Sequence, residues 1–443
     1  MRGHLASFSF ASSCSLAMLY AASAHAGNDD GVLVGNDAAV MAGAVTATVV
    51  DGSALWYNPA GLAAARVDTV DVSGSAFVLR TYNAKGLLSG SDGSHGDAKV
   101  TEIVSVPSAL TFVRKLAPGL IAGAGLFVPQ YNDLVLRTSL STHDDANDVT
   151  SRWQLAVRDQ EAQYRGALGI GWAASQKLSV GFTLFGAYNS SLASFQSAAG
   201  YQDQAGQTLV QAVDSSLEEH SLLGTQAALG LILQATRELS IGLSLRSPAL
   251  AFHQSSRVTS VTASNDVSNP DMPTSEFTPV DETKSESKVG WFEPARVRLG
   301  VAYKVGGGSV AIDGDIQPGL NNADFDVDRT FVWNLRAGAR FPLKEDLLVG
   351  GGLFTDRGSD PKAPSGAGPI HYYGGTVGLQ FANVRKLDPS EQHDKLTFAT
   401  TLALRYAQGH GKTEGINVDT GDSTAVNLDV NEVSLHIGSA LLF

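Results

Sequence analysis

The stretch Glu432-Val433-Ser434-Leu435-His436-Ile437-Gly438-Ser439-Ala440-Leu441-Leu442-Phe443 reads as an amphipathic strand. Successive side chains of a strand point to opposite faces. Val433, Leu435, Ile437, Leu441 and Phe443 therefore share one face, and Ser434, His436, Gly438 and Ala440 the other. A soluble sheet seldom finishes on such a strand with a final aromatic residue. The closing strand of a bacterial outer-membrane barrel commonly does, because it sets an apolar face against lipid and an aromatic ring at the interface. The stretch predicts an all-β fold closed into a transmembrane barrel, placed in the cell outer membrane of a Gram-negative bacterium.

Composition agrees with that placement. Of the 443 residues, 17% are charged and 43% are hydrophobic. A soluble protein carries about 25% charged residues. No mature apolar run reaches the roughly 20 residues that a membrane-crossing helix needs. A membrane chain without such helices must close a barrel, since lipid offers no partner to an open sheet edge. The net charge of −13 argues against nucleic acid as a partner. Residues 1–26 have the pattern of a secretory signal: Arg2, an apolar stretch from Leu5 to Ala22, then Ala24-His25-Ala26 as a cleavage site. Cys14, the single cysteine, lies within it, which leaves a cysteine-free mature chain suited to export.

From Thr69 onward the chain breaks into fourteen alternating segments, roughly 69–82, 105–116, 119–137, 161–174, 177–190, 220–235, 238–249, 295–305, 309–317, 331–342, 346–355, 371–382, 395–407 and 432–443. Leu239, Ile241, Leu243 and Leu245 oppose Ser240, Gly242, Ser244 and Arg246. Leu178, Val180, Phe182 and Leu184 oppose Ser179, Gly181 and Thr183. The connections alternate between short turns, such as Ala117-Pro118-Gly119 and Ser175-Gln176-Lys177, and long ones, about 83–104, 138–160, 191–219, 250–294, 318–330, 356–370 and 408–431. Only the connection at 383–394 is long where a short turn is due. Short periplasmic turns and long external loops are the rhythm of outer-membrane barrels. The prediction is a 14-stranded antiparallel transmembrane β-barrel over 69–443, its last strand pairing with the one that starts near Thr69. Residues 27–68 are rich in Gly, Ala and Val. A solvated tail would be polar, so this segment is expected to be a hatch, or plug, inside the lumen.

Within that segment lies Asp51-Gly52-Ser53-Ala54-Leu55-Trp56-Tyr57-Asn58-Pro59-Ala60-Gly61-Leu62, after the Gly/Ala-rich run Gly35 to Val45. This resembles the FadL-like outer-membrane transporters of long-chain fatty acids and other hydrophobic compounds. In that family a Gly/Ala-rich start leads to an aspartate, an Asn-Pro-Ala element and the first strand. Ser247-Pro248 and Glu293-Pro294-Ala295-Arg296 also resemble family patterns. The resemblance covers nearly the whole mature chain. It implies a fourteen-stranded barrel with an N-terminal hatch, passive uptake of a fatty acid or hydrocarbon by external capture, transfer to a lumen pocket, and exit through a gap at the third strand. Asn58, Pro59 and Ala60 would then belong to the gate, with Gly123, Gly125 and Pro129 as kink material in the third strand, because proline lacks a ladder donor and glycine weakens pairing. The implied partners are the hydrophobic molecule, outer-membrane lipid and the barrel-assembly machinery, with the protein a monomer.

No residue pattern suggests an enzyme or a cofactor. Ser434 and His436 share a face, but residues two apart in a strand stand roughly 7 Å apart, too far for a nucleophile and its base. The histidines show no metal-ligand spacing. The acidic runs Asp324 to Asp328 and Asp144 to Asp148 lack a full calcium ligand set and read as solvated loops. By alternation Arg296, Arg298, Asp313, Asp315, Asn334, Arg336 and Arg340 face the lumen. A turn centred between Gly306 and Gly307 sets Arg298 opposite Asp315. Arg336 and Arg340 are the candidates to meet a ligand carboxylate, since a guanidinium matches that group geometrically. Phe77, Phe127 and Phe185 fall on the lumen side and line an apolar pocket. Leu192, Phe195, Leu209, Val213 and Leu217 in the connection 191–219, the last three at helical spacing, suggest a landing surface for an apolar ligand. A surface receptor or adhesin on the same barrel is the alternative. A lipid hydrolase would need a Ser/His pair across neighbouring strands, which is not found. A general porin would need an open lumen.

Overall fold

The computed structural model describes residues 31–65, 67–144, 149–203, 205–268, 273–325, 327–386 and 395–443. The expected signal with Cys14, part of the acidic runs at 144–148 and 324–328, and most of the connection at 383–394 lie outside the described residues.

Fourteen antiparallel strands close a barrel. The first six are long: β1 (Thr69–Ser89), β2 (His95–Ala117), β3 (Leu120–Asp144), β4 (Val149–Ala173), β5 (Leu178–Gln202) and β6 (Thr208–Gln234). Strand β7 runs Leu239–Arg246, breaks at Ser247-Pro248, and resumes as Ala249–Asp266. Strand β8 is built of Thr274–Glu286, Gly290–Glu293 and Arg296–Val305. The circuit finishes with β9 (Gly308–Gln317), β10 (Val332–Lys344), β11 (Leu347–Arg357), β12 (Gly368–Lys386), β13 (Lys395–Asn417) and β14 (Ser423–Leu442). The barrel closes where β1 meets β14, from Thr69↔Leu442 to Ala84↔Leu428. That is the partner the terminal strand predicts. The turn with Gly306 and Gly307 at positive φ sets Arg298 opposite Asp315, also as the sequence predicts.

Alternation decides which face each side chain takes. On β14, Ser434, His436 and Ala440 are buried inward, while Ile437 is exposed. On β4 the outward row Tyr164, Leu168, Ile170 and Trp172 is exposed. Its two aromatic ends stand eight residues apart, roughly 26 Å along the strand, or about 20 Å of depth at a barrel tilt of about 40°, which fits within an apolar band about 25 Å tall bounded by aromatic girdles. No helix of the described residues is long and apolar enough to cross a membrane; the strands do it.

The long external connections are shorter than the sequence predicts, and the strands longer. The stretch expected as a loop at 191–219 is the outer half of the β5–β6 hairpin, paired from Ser191↔His220 to Tyr201↔Val210. The stretches 83–104 and 408–431 are likewise mostly strand. Beyond the bilayer the outward face of a strand meets water instead of lipid, while inward residues such as Leu140 and Leu155 stay buried. The apolar/polar alternation then fades while the hairpin hydrogen bonds continue, so periodicity alone stops too early.

Residues 31–64 lie inside the lumen. They form two short helical turns, α1 (Asn36–Val40) and α2 (Ala54–Tyr57), then a 3-10 turn at Pro59–Ala64. Val34, Met41, Leu55, Trp56 and Leu62 share one buried cluster with Val113, Phe127 and Phe185 of the wall. A second cluster, including Tyr82, Leu134, Leu155, Tyr372 and Leu428, lies on the inner face of the outer strand halves.

Candidate functional site

The inner segment fits because the wall withdraws its side chains along a belt. A methyl group at Gly171 would meet Leu62, at Gly181 Pro59, at Gly230 Asn58, at Gly300 Thr46, at Gly338 Met41 and at Gly438 Asn36. These glycines sit on β4, β5, β6, β8, β10 and β14, so the belt runs most of the way around the lumen. Elsewhere on the inner face bulkier residues anchor the segment. Asn58 caps the 3-10 turn through the Ala60 N–H at 3.2 Å, and its amide donates to Thr46 O at 2.8 Å and to Leu231 O of β6 at 3.2 Å. Asn58, Pro59 and Ala60 are all buried. Asn58 binds the segment to the wall of β6.

Polar contacts complete the anchorage. The Thr46 N–H donates to Asp313 at 2.8 Å, and Arg340 pairs with Asp37 at 2.7 Å. Arg336 is buried and ion-paired with Asp315. Arg296 and Arg298 approach the same carboxylate at 3.7 and 3.8 Å. Arg336 and Arg340 were expected to receive a ligand carboxylate; both instead hold protein carboxylates. Desolvating a guanidinium is costly unless an anion accompanies it, and here Asp315 and Asp37 do so. Asp51, next to Asp37 and Asp71, is enclosed in the lumen and accepts the Ser53 N–H at 3.0 Å. Burial, reinforced by Asp37 and Asp71, pushes its carboxyl up to about 7.

The three candidate phenylalanines divide. Phe127 and Phe185 are buried and flank Trp56, with ring centroids at 6.1 and 5.8 Å. Arg246 stacks over Trp56 at 3.7 Å. Phe77 instead faces outward and is exposed. A register shift between Ser75 and Phe77 moves every residue beyond it to the opposite parity, the usual effect of a bulge. Leu192, Leu209, Val213 and Leu217 share the outer face of the β5–β6 hairpin, because four-residue spacing in a strand keeps one face. Phe195 takes the inner face and packs against the second cluster. The five therefore do not form one patch.

The third strand does part from its neighbour. Pairing of β2 with β3 runs from Ala117↔Leu120 to Ala109↔Phe127 and no further among the described residues. Beyond Phe127, β3 pairs only with β4, after a register shift between Phe127 and Gln130. Pro129 lies in that shift. Gly123 and Gly125 lie instead in the paired part, where Gly123 makes room for Leu55 and Gly125 for the Phe127 ring. The separation thus comes from the proline, aided by register shifts between Ser73/Gly74 and Ser75/Val78 on the β1–β2 side. Val32 stands behind the opening. Its N–H donates to Pro129 O at 3.2 Å, and its side chain packs with Val78, Val106 and Val128. Sequence reasoning missed Val32, since nothing in its immediate surroundings marks it.

Neither a family model nor a curated protein matches the sequence. Solved structures do. A Pseudomonas aeruginosa FadL homologue aligns over 93% of this chain and 99% of its own at 10% identity, TM-score 0.58. The Pseudomonas putida toluene transporter TodX aligns over 94% and 99% at 13% identity, TM-score 0.58. The chain has the fold of these proteins. The Ralstonia pickettii toluene transporter TbuX aligns over 94% and 99% at 13% identity, TM-score 0.52. The resemblance first visible around Asn58-Pro59-Ala60 therefore holds at the level of architecture across almost the entire chain.

Proposed function

We propose that this protein is an outer-membrane channel for passive uptake of hydrophobic molecules, with residues 31–64 as its hatch and the β2–β3 opening as a lateral exit. The observation that carries this reading is the opening itself: a wall stretch without ladder bonds, rimmed by valines and backed by one residue of the inner segment. A solute leaving there meets lipid rather than water, which suits an apolar cargo. Fatty acids and hydrocarbons both satisfy that requirement. The occupied state of Arg336 and Arg340 supports an uncharged cargo, as do structural relatives described as toluene transporters. Phe127, Phe185 and Trp56 are the proposed lumen contacts. The experiment is labelled uptake in a deletion strain, with and without the gene restored, for oleate and for toluene. Restoration of uptake of either compound supports channel function. Identical uptake in both strains for every hydrophobic compound refutes it.

One observation supports the receptor alternative: Thr274–Glu286 is exposed along its whole length and extends a hairpin with Gln254–Asp266. Deleting 255–285 separates the readings. Loss of surface binding with intact uptake favours a receptor or adhesin.

A further inference from the structure

The β2–β3 opening is bridged on its lumen side by Arg80 and Tyr82 of β1, the Tyr82 hydroxyl donating to Asn132 Oδ1 at 3.3 Å. Arg80 of β1 reaches past β2 to β3, where its two terminal nitrogens donate to Tyr131 O at 3.3 Å and one of them to Asn132 Oδ1 at 3.1 Å. Its Nε donates to Glu432 at 2.5 Å. Arg405 pairs with the same carboxylate. Glu432 thus holds two guanidinium groups.

Arg80 has a second carboxylate within the register. Its direct cross-strand partner on β14 is Glu432 and on β2 is Glu102. Glu102 is on the β2 stretch that has left β3. Both its carboxylate oxygens are buried, with no hydrogen-bond partner among the described residues. A buried carboxylate without a partner carries the full cost of desolvation. The charges are therefore unevenly shared, with two arginines on Glu432 and none hydrogen-bonded to Glu102.

We propose that Arg80 is a two-position clasp: it holds β3 through Tyr131 and Asn132 when the exit is closed, and pairs with Glu102 when the exit opens. The open position gains the Glu102 ion pair and gives up the bonds to Tyr131 and Asn132. In the open one each carboxylate keeps one arginine, Glu432 with Arg405 and Glu102 with Arg80. The move frees the Tyr131 carbonyl and leaves Asn132 with the Tyr82 hydroxyl alone, which loosens the lumen side of the opening. An element with two discrete arrangements, each with a gain and a loss, is what a small change at the hatch can tip. This inference rests on the channel reading above for its transport readout.

The test uses full-length protein in proteoliposomes, with toluene as the probe, and heat-modifiable gel migration to confirm a folded barrel. Removing the clasp (Arg80→Met) is expected to raise uptake about threefold or more, and removing the receiving carboxylate (Glu102→Gln) to lower it by about as much, as a shift in an open–closed population would. The double variant should behave as Arg80→Met. A spin-label pair on the outward residues Ile103→Cys and Val135→Cys reads the opening without transport. Its distance distribution should widen in Arg80→Met and narrow in Glu102→Gln. Folded Glu102→Gln with uptake at or above wild type overturns the clasp, as does a spin-label distance that ignores both substitutions. If wild type carries no toluene but the labels respond with opposite sign, the clasp stands and toluene is excluded as the cargo.

Discussion

Two seams of this barrel lie two strands apart and behave oppositely. The β1–β14 seam joins the two ends of the barrel, yet it is paired from Thr69↔Leu442 to Ala84↔Leu428 with a single bulge. The β2–β3 seam is a hairpin of adjacent strands, yet its pairing stops at Phe127. Proximity in sequence should favour the second seam, since a short loop costs less entropy to close. The weak seam is instead chosen by local chemistry. Pro129 has no N–H for a ladder, and register shifts on both flanks move the backbone groups out of phase. Inward groups then take over the work of the missing bonds: Val32 on Pro129, and Arg80 on Tyr131. The closed seam needs no such help.

The largest effect should come from making the two seams alike. Val104→Cys and Val128→Cys, joined by a short bismaleimide, tie β2 to β3 across the opening. Uptake of hydrophobic compounds should fall about tenfold or more if exit is lateral, the order expected when the competent state becomes rare. The same tie on the closed seam, Val72→Cys with Ser439→Cys, joins direct register partners and should leave uptake unchanged. Equal loss at both seams would remove the lateral exit.

An intermediate effect concerns how the inner segment is held on the side remote from the opening. Arg340 on β10 pairs with Asp37 at 2.7 Å and keeps a fifth of its side chain accessible. Arg340→Met strands the carboxylate and should weaken docking of the segment by about 2–4 kcal/mol, toward the low side for a buried pair because of that exposure. Hydrogen exchange over residues 36–50 reads it. Exchange should speed up there while the amides of β14 are unchanged, and equal acceleration in both would indicate loss of the barrel itself.

What could be read in advance follows the same division. Where alternation is regular and both faces differ in environment, the sequence discloses face and register. Arg298 opposite Asp315 and the outward Val433, Leu435 and Ile437 are cases. Where a bulge intervenes, parity reverses without any mark in composition, which is why Phe77 faces outward. Past the membrane the outward face no longer meets lipid and loses its regular apolar row, so Leu209, Val213 and Leu217 read as a helical spacing when they lie along a strand. Glu102 was hidden for the same reason. It falls in a stretch read as a loop, and no register could then place it beside Arg80. The glycine belt was legible only as composition, since each glycine answers to an atom of the inner segment that no local pattern identifies.

The smallest expected effect is a pH dependence where the inner segment meets the closed side. Asp51 sits near Asp71 of β1, whose register partner is Ala440 of β14. Its carboxyl is raised from 3.8 to about 7 by burial and by the neighbouring carboxylates Asp37 and Asp71. A docked state with the higher pKa binds the proton more tightly than the undocked one. Its stabilising contribution is therefore complete below about pH 4 and is lost as pH rises through about 7. The slope is at most about 1.4 kcal/mol per pH unit, and less with partial solvent access. Trp56, one short turn along from Asp51, reports docking through its fluorescence. The docked signal should weaken between pH 5.5 and 8 in the wild type and stay flat in Asp51→Asn. A wild-type signal that strengthens over that range would mean that the ionised carboxylate, held by the Ser53 N–H, is the form the lumen prefers.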